Sequence, residues 1–183
     1  LKKKGHLFPI KDGKWFIPRS NLGNTGADFY LAENPKYGVT MTYHLRDNYE
    51  TKSEKRKKRE KPLNQKLINV PFPGYNNLDE EKNETPAYIK ISIEDHDGNI
   101  IRHLKERAAR GTNRITWDLR HMFKGSLTDS NKKYNLRGPI VKPGKYSATL
   151  YLLKGGLTTK LGEKKSFELN PIYKSTLMGT GFE

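Results

Sequence analysis

The chain reads as an all-β fold of two packed sheets, with a basic helical insertion between the first two strands. Three alternations predict it. Over residues 88–94, Ile89, Ile91 and Ile93 alternate with Lys90, Ser92 and Glu94, the period-2 pattern of a strand with one buried face. Over residues 114–120, Ile115, Trp117 and Leu119 share one face, and a large aromatic in mid-strand suits the space between two sheets. Over residues 145–152, Tyr146, Ala148, Leu150 and Leu152 repeat the pattern.

At the N-terminus, Leu7, Phe8 and Ile10 and then Trp15, Phe16 and Ile17 flank Asp12-Gly13, so residues 1–18 read as a short hairpin. A hairpin of two strands is marginal in water, which implies that this one completes a structure outside the main fold. Residues 19–35 are rich in Gly and Asn and read as a loop. Val39, Met41, Tyr43 and Leu45 then alternate with Thr40, Thr42 and His44 as the first strand of the two-sheet unit. Residues 50–60 are strong helix formers, with Thr51 and Glu54 spaced as a capping box, and Pro62 should end that helix or open a turn. Pro71, Pro73, Gly74 and Asn76 predict an irregular return to the strand at residue 88.

Asp97-Gly98 should turn a tight hairpin on positive φ values, returning along residues 100–104. Residues 121–137 lack periodicity and read as a long mobile connection. Pro143-Gly144 leads into the strand at Lys145, Gly155-Gly156 turns it back along residues 157–161, and Phe167 and Leu169 mark a last strand. Residues after 171 form a tail with no structural terminus of their own.

Composition narrows the function. Of 183 residues only 33% are hydrophobic, which fits one domain with part of its length outside the core. The absence of cysteine excludes disulfides, thiol chemistry and cysteine-ligated zinc within this sequence. No apolar run approaches the roughly 20 residues that span a bilayer. Leu1 without an initiator Met points to a processed or partial chain, with any export signal upstream. The net charge of +15 invites a nucleic-acid reading, but much of the excess sits in residues 2–4 and 52–66. A helix charged on every side is ordinarily a solvated segment, which weakens that reading. The candidate polyanion contacts there are Lys52, Lys55, Arg56, Lys57, Lys58, Arg59 and Lys61.

Three segments, GNIIRHL, GTNRITWDLR and GPIVKPGKYSATL, set out a hairpin followed by a basic residue, a W-D-x-R strand and a P-G-x-Y turn. In this order they resemble the Ig-like domain of the flagellar hook-capping type that is appended to many secreted bacterial proteins. With LFPIKD, GADFYLAENPKYGVTMTYHL and VPFPGYNNLDEE upstream, nearly the whole chain resembles the C-terminal region of Bacteroidetes-type secreted proteins. Their main body is a sortilin-like or sialidase-like β-propeller, and they are often labelled glycosyl hydrolases. The resemblance implies an Ig/fibronectin-III-like β-sandwich over residues 37–171, with an insertion at 50–86. It makes residues 1–20 the end of a propeller domain, 21–36 a linker and 172–183 a tail. It also implies export to the periplasm, cell surface or medium of a bacterium.

No reaction is proposed by the side chains. Asp95, Asp97 and Asn99 have the oxygen spacing of half a calcium loop, yet no Gly-x5-Glu continuation follows, and a hairpin tip is the simpler account. Asp118 sits in a strand and reads as a structural hydrogen-bond or ion-pair partner of a nearby Arg. His6, His44, His96, His103 and His121 lack metal-ligand spacing, and Ser20, Ser92 and Ser147 lack the Gly-flanked nucleophile elbow. The Asn83-Glu84-Thr85 sequon has no weight in a bacterial protein.

The expected role is therefore a non-catalytic accessory module without cofactor or metal. Its partners are its own upstream propeller, through Leu7, Phe8, Trp15, Phe16, Phe29 and Tyr30, and another exported or cell-surface protein or a glycan. Two alternatives stand beside it. The chain could be the tail of a glycoside hydrolase whose carboxylates lie upstream, or a polyanion-binding module using the basic insertion.

Overall fold

The structure, a computed structural model, describes residues 3–18, 35–123 and 137–172. Most of the expected linker, the connection over 124–136, the tail beyond 172, and Phe29 and Tyr30 lie outside the described residues. The elements in order are β1 Gly5–Leu7, β2 Gly13–Trp15, β3 Val39–Leu45, α1 Lys52–Gln65, α2 Tyr75–Asn83, β4 Tyr88–Glu94, β5 Ile100–Arg107, β6 Gly111–Trp117, β7 Gly144–Lys154, β8 Leu157–Lys160 and β9 Lys165–Pro171. The fold is β-rich, and both helices fall between β3 and β4.

The strands form two sheets, one ordered β1-β3-β6 and the other β2-β9-β7-β4-β5, with β8 continuing beside β7. The chain passes from the first sheet to the second after β3, returns for β6, and ends in the second with β7 to β9. The alternations place Val39, Met41, Tyr43 and Leu45 of β3, Ile89, Ile91 and Ile93 of β4, and Ala148, Leu150 and Leu152 of β7 in one hydrophobic cluster shared by both sheets. Trp117 of β6 is fully buried there, edge-on to Tyr146 of β7 at 5.5 Å and to Phe167 of β9 at 6.2 Å between ring centres. Its indole N–H donates to the Arg120 carbonyl at 3.0 Å, so the largest core side chain leaves no polar group unpaired.

Residues 5–15 are not the expected hairpin. β1 pairs antiparallel with β3, whereas β2 pairs parallel with β9, so one short segment supplies an edge to each sheet. Leu7 and Ile10 are buried in the shared cluster. Asp12-Gly13 does not turn the chain back: the Asp12 carboxylate accepts from the Glu168 backbone N–H at 2.8 Å. The apolar pairs that looked self-complementary are each satisfied by a longer neighbour.

Three further expectations are corrected. The β4–β5 turn has a single left-handed residue, Gly98 (φ 84°), and Asp97 is not one. Asp95 closes the turn, its carboxylate accepting from the backbone N–H groups of Asp97 at 3.0 Å and Asn99 at 2.8 Å. Those bonds are what the calcium-like spacing serves, and they hold the Asp95 carboxyl below its ordinary pKa against the opposing effect of desolvation. Pro62 lies inside α1, which runs on to Gln65. β6 ends at Trp117, after which Leu119 turns left-handed (φ 55°) while staying fully buried. The approach of β3 explains one glycine: at Gly38 (φ 122°) a Cβ would lie 1.8 Å from the Trp117 carbonyl oxygen.

Candidate interaction surfaces

The basic insertion folds as an arm of two helices. At its start the Thr51 hydroxyl accepts from the Glu54 N–H at 3.3 Å, and the Glu54 carboxylate accepts from the Thr51 N–H at 3.0 Å, forming the expected capping box. The Thr51 amide, with the Arg107 guanidinium alongside, holds the Glu54 carboxyl below its usual range. The Glu54–Arg107 pair also ties the first turn of α1 to β5.

Sequence reading missed α2, in which Tyr75 and Leu78 are the only apolar residues. No residue of either helix is buried, so there is no amphipathic stripe to detect. What holds α2 is charge. Arg56 donates Nε and Nη2 to the two carboxylate oxygens of Glu81 at 2.8 and 2.9 Å, and Nη1 to Glu60. Lys52 pairs with Glu80 at 2.5 Å, and its backbone N–H donates to Glu84. Glu81, and to a lesser degree Glu60, raise the Arg56 pKa further, while Arg56 lowers that of Glu81. The acidic run 79–81, facing the basic run 52–59, was the legible signal.

Of the seven expected polyanion contacts, Lys52, Arg56 and Lys58 are engaged, Lys58 with Glu50. Lys55, Lys57, Arg59 and Lys61 have no ion pair among the described residues. A cleft of about 820 Å³ between the helices is lined by Lys55, Arg59 and Asn77 but also by Glu80 and Glu81, so an anion entering it meets carboxylates.

The arm ends in residues 66–75. There α1 closes with Leu67 in the left-handed conformation (φ 55°), the Leu67 N–H donating to Asn64 O and the Ile68 N–H to Leu63 O, both at 3.1 Å. That is the Schellman arrangement, whose left-handed position is ordinarily Gly; an L side chain there costs about 1 kcal/mol or more. Leu67 is 95% exposed, Phe72 62% and Tyr75 78%, with the Phe72 and Tyr75 rings edge-on at 5.0 Å.

The expected interdomain contacts divide. Leu7 is consumed by the core and Phe8 is half-buried. Trp15 is half-buried, donating its indole N–H to the Val141 carbonyl at 2.7 Å. Phe16 and Ile17 are exposed, and the Ile172 N–H bonds to Trp15 O, bringing the exposed Ile172 beside them. The result is an apolar edge at one end of the second sheet.

On the outer face of that sheet Lys105 lies over the Tyr88 ring at 4.0 Å and Lys90 over Tyr151 at 5.2 Å. One register step beyond them, toward the Gly98 turn, Ser92 Oγ is 3.0 Å from His103 Nδ1, a pairing that sequence spacing did not show. Burial, and then Lys90, lower the His103 pKa and so favour the neutral ring. A serine nucleophile also needs an exposed oxygen, a residue orienting the histidine and oxyanion donors. Ser92 is buried in mid-strand with its neighbours' N–H groups committed to the ladder, so the pair acts as a cross-strand bond. His6 and His44 are opposite one another on β1 and β3, and no group of three metal-binding side chains occurs among the described residues. Asp118 Oδ1, for which a structural partner was expected, is buried with no hydrogen bond among the described residues.

Compared with family models, with curated proteins and with solved structures, the chain matches none. No helix among the described residues is long and apolar enough to cross a membrane.

Proposed function

We propose that the chain is a non-catalytic accessory module, an Ig-like β-sandwich at the C-terminal end of a larger exported β-propeller protein. It packs against the propeller and presents its remaining surface to a protein or glycan. Support for the sandwich comes from the two sheets filling one cluster in the order β1-β3-β6 and β2-β9-β7-β4-β5. The start of β7 adds to it: the Tyr146 hydroxyl donates to the Lys142 carbonyl four residues upstream at 2.7 Å. A tyrosine bonded this way where the chain crosses between sheets resembles the tyrosine corner of Ig-type sandwiches.

The observation that carries the packing role is the apolar edge of Phe16, Ile17 and Ile172, with Trp15 beneath it. Such an edge suits burial against a neighbouring domain. The intact mass of the native polypeptide tests this reading. A mass far above 21.1 kDa is expected, and a native mass equal to it overturns the proposal.

Polyanion binding by α1 is a second reading, favoured by the lack of ion pairs at Lys55, Lys57, Arg59 and Lys61 among the described residues. Heparin affinity that falls steeply with salt and is lost when these four become Gln supports it. Affinity indifferent to those replacements removes it.

A further inference from the structure

The geometry points to the end of the helical arm as a device for docking onto an anionic lipid surface, a role that neither the accessory reading nor the polyanion reading contains. Three features meet there. The first is exposure: Leu67, Ile68, Phe72 and Tyr75 all face solvent within nine residues. A solvated turn gains nothing from four large apolar side chains, whereas an apolar cluster flanked by cations is the pattern of segments that rest in a membrane interface.

The second is backbone conformation. Leu67 occupies the one position of the turn where Gly or Asn fits without strain, and it is almost wholly exposed. Local stability therefore gives no reason for a leucine, and a strained, exposed apolar residue directs attention to what it contacts. The third is the sorting of charge along the arm. The acidic partners Glu80, Glu81 and Glu84 meet Lys52 and Arg56, in the half of α1 tied to β5. The distal half carries Arg59, Lys61 and the C-cap residue Lys66, none in an ion pair among the described residues, and its one acid, Glu60, is already paired with Arg56. Fourteen helical residues extend about 21 Å, so the tip lies about that far along the helix from the first turn, which Glu54 ties to β5.

An anionic headgroup layer satisfies both parts at once, with the cations at the phosphates and Leu67 and Phe72 among the acyl chains just below. A soluble polyanion would engage the cations and leave the apolar residues in water. The arm is too short and too polar to span, so it rests on the surface.

The test uses the whole chain with vesicles of phosphatidylcholine mixed with phosphatidylglycerol, against phosphatidylcholine alone, read by co-sedimentation. The chain should bind the mixed vesicles preferentially. L67G combined with F72S should weaken that binding at least about tenfold, since each removes a large apolar group from the lipid. L67G relieves the left-handed strain, so an unchanged helical circular dichroism signal separates lost binding from lost folding of the arm. Replacing Lys61 and Lys66 by Gln should remove the preference for phosphatidylglycerol. No binding to the mixed vesicles overturns the proposal, and so does binding that L67G/F72S leaves intact. Vesicle-independent self-association that depends on Leu67 and Phe72 would also overturn it, by showing a protein-docking tip.

Discussion

Replacing Tyr146 with Phe isolates a single bond in the two-sheet core. The ring is buried, edge-on to Trp117 at 5.5 Å and stacked on Phe167 at 6.2 Å, and Phe preserves those contacts. What is lost is the hydroxyl bond to the Lys142 carbonyl, 2.7 Å long. A neutral hydrogen bond contributes about 1 kcal/mol net, and the orphaned carbonyl belongs to an exposed residue that water can reach, so no further desolvation penalty arises. For a chain of this size 1 kcal/mol corresponds to a fall in Tm of about 2–4 °C. Tyr146→Ala deletes the ring as well and should cost about 3–5 kcal/mol, as removal of other large aromatics from cores does. Thermal melts followed by near-UV circular dichroism measure both. If Tyr146→Phe leaves Tm unchanged, the bond is not made in solution. If it destabilises as much as Tyr146→Ala, the hydroxyl has a second buried partner and the reasoning fails.

Three other perturbations separate local from global effects. Gly38→Ala places a methyl 1.8 Å from the Trp117 carbonyl at φ 122°, so the β3–β6 register must shift; a loss of at least about 3 kcal/mol in urea unfolding is expected, and a near-neutral result refutes the contact. Thr51→Ala removes the cap of a helix that buries nothing, and should lower the helical circular dichroism signal without moving the main transition; a shift of that transition would mean that the arm supports the sheets. Burial and the neighbouring Glu106 raise the pKa of Tyr43, so its neutral form contributes stability that is complete below the unfolded value of about 10 and is lost as pH rises toward the folded one. Phenolate absorbance should show Tyr43 ionising only with alkaline unfolding, and Tyr43→Phe should flatten the decline in stability above about pH 10.

The strands that bury a full face were legible in the sequence, since β3, β4, β7 and β9 each turn alternate side chains into the cluster, and a period of two cannot serve a helix. The capping box was equally legible, because it is built within four residues. What escaped was whatever depends on a distant partner. β2 is three residues whose pairing is set by β9, and α2 exists through Arg56 and Lys52 rather than through any stripe of its own. Ser92 and His103 meet because the turn at Gly98 fixes the register, and no spacing rule encodes that contact. The P-G-x-Y motif gave the place of the tyrosine but not the carbonyl it would seek. At the arm's tip, the exposure of Leu67, Phe72 and Tyr75 depends on where the arm is carried, which no pattern of letters encodes.

The parallel pairing of β2 with β9 sets a clock on assembly. Asp12 and Glu168, joined across this seam, are 156 positions apart in the chain. At synthesis rates of about 5–20 residues per second, β2 waits roughly 8–30 s before its neighbour exists. During that interval β2, unlike β1 whose neighbour β3 follows soon after it, has no edge to join in its own chain, and the finished β9 of another copy offers an equivalent one. The step that finishes the fold is therefore also the one at which two copies could exchange N-terminal strands.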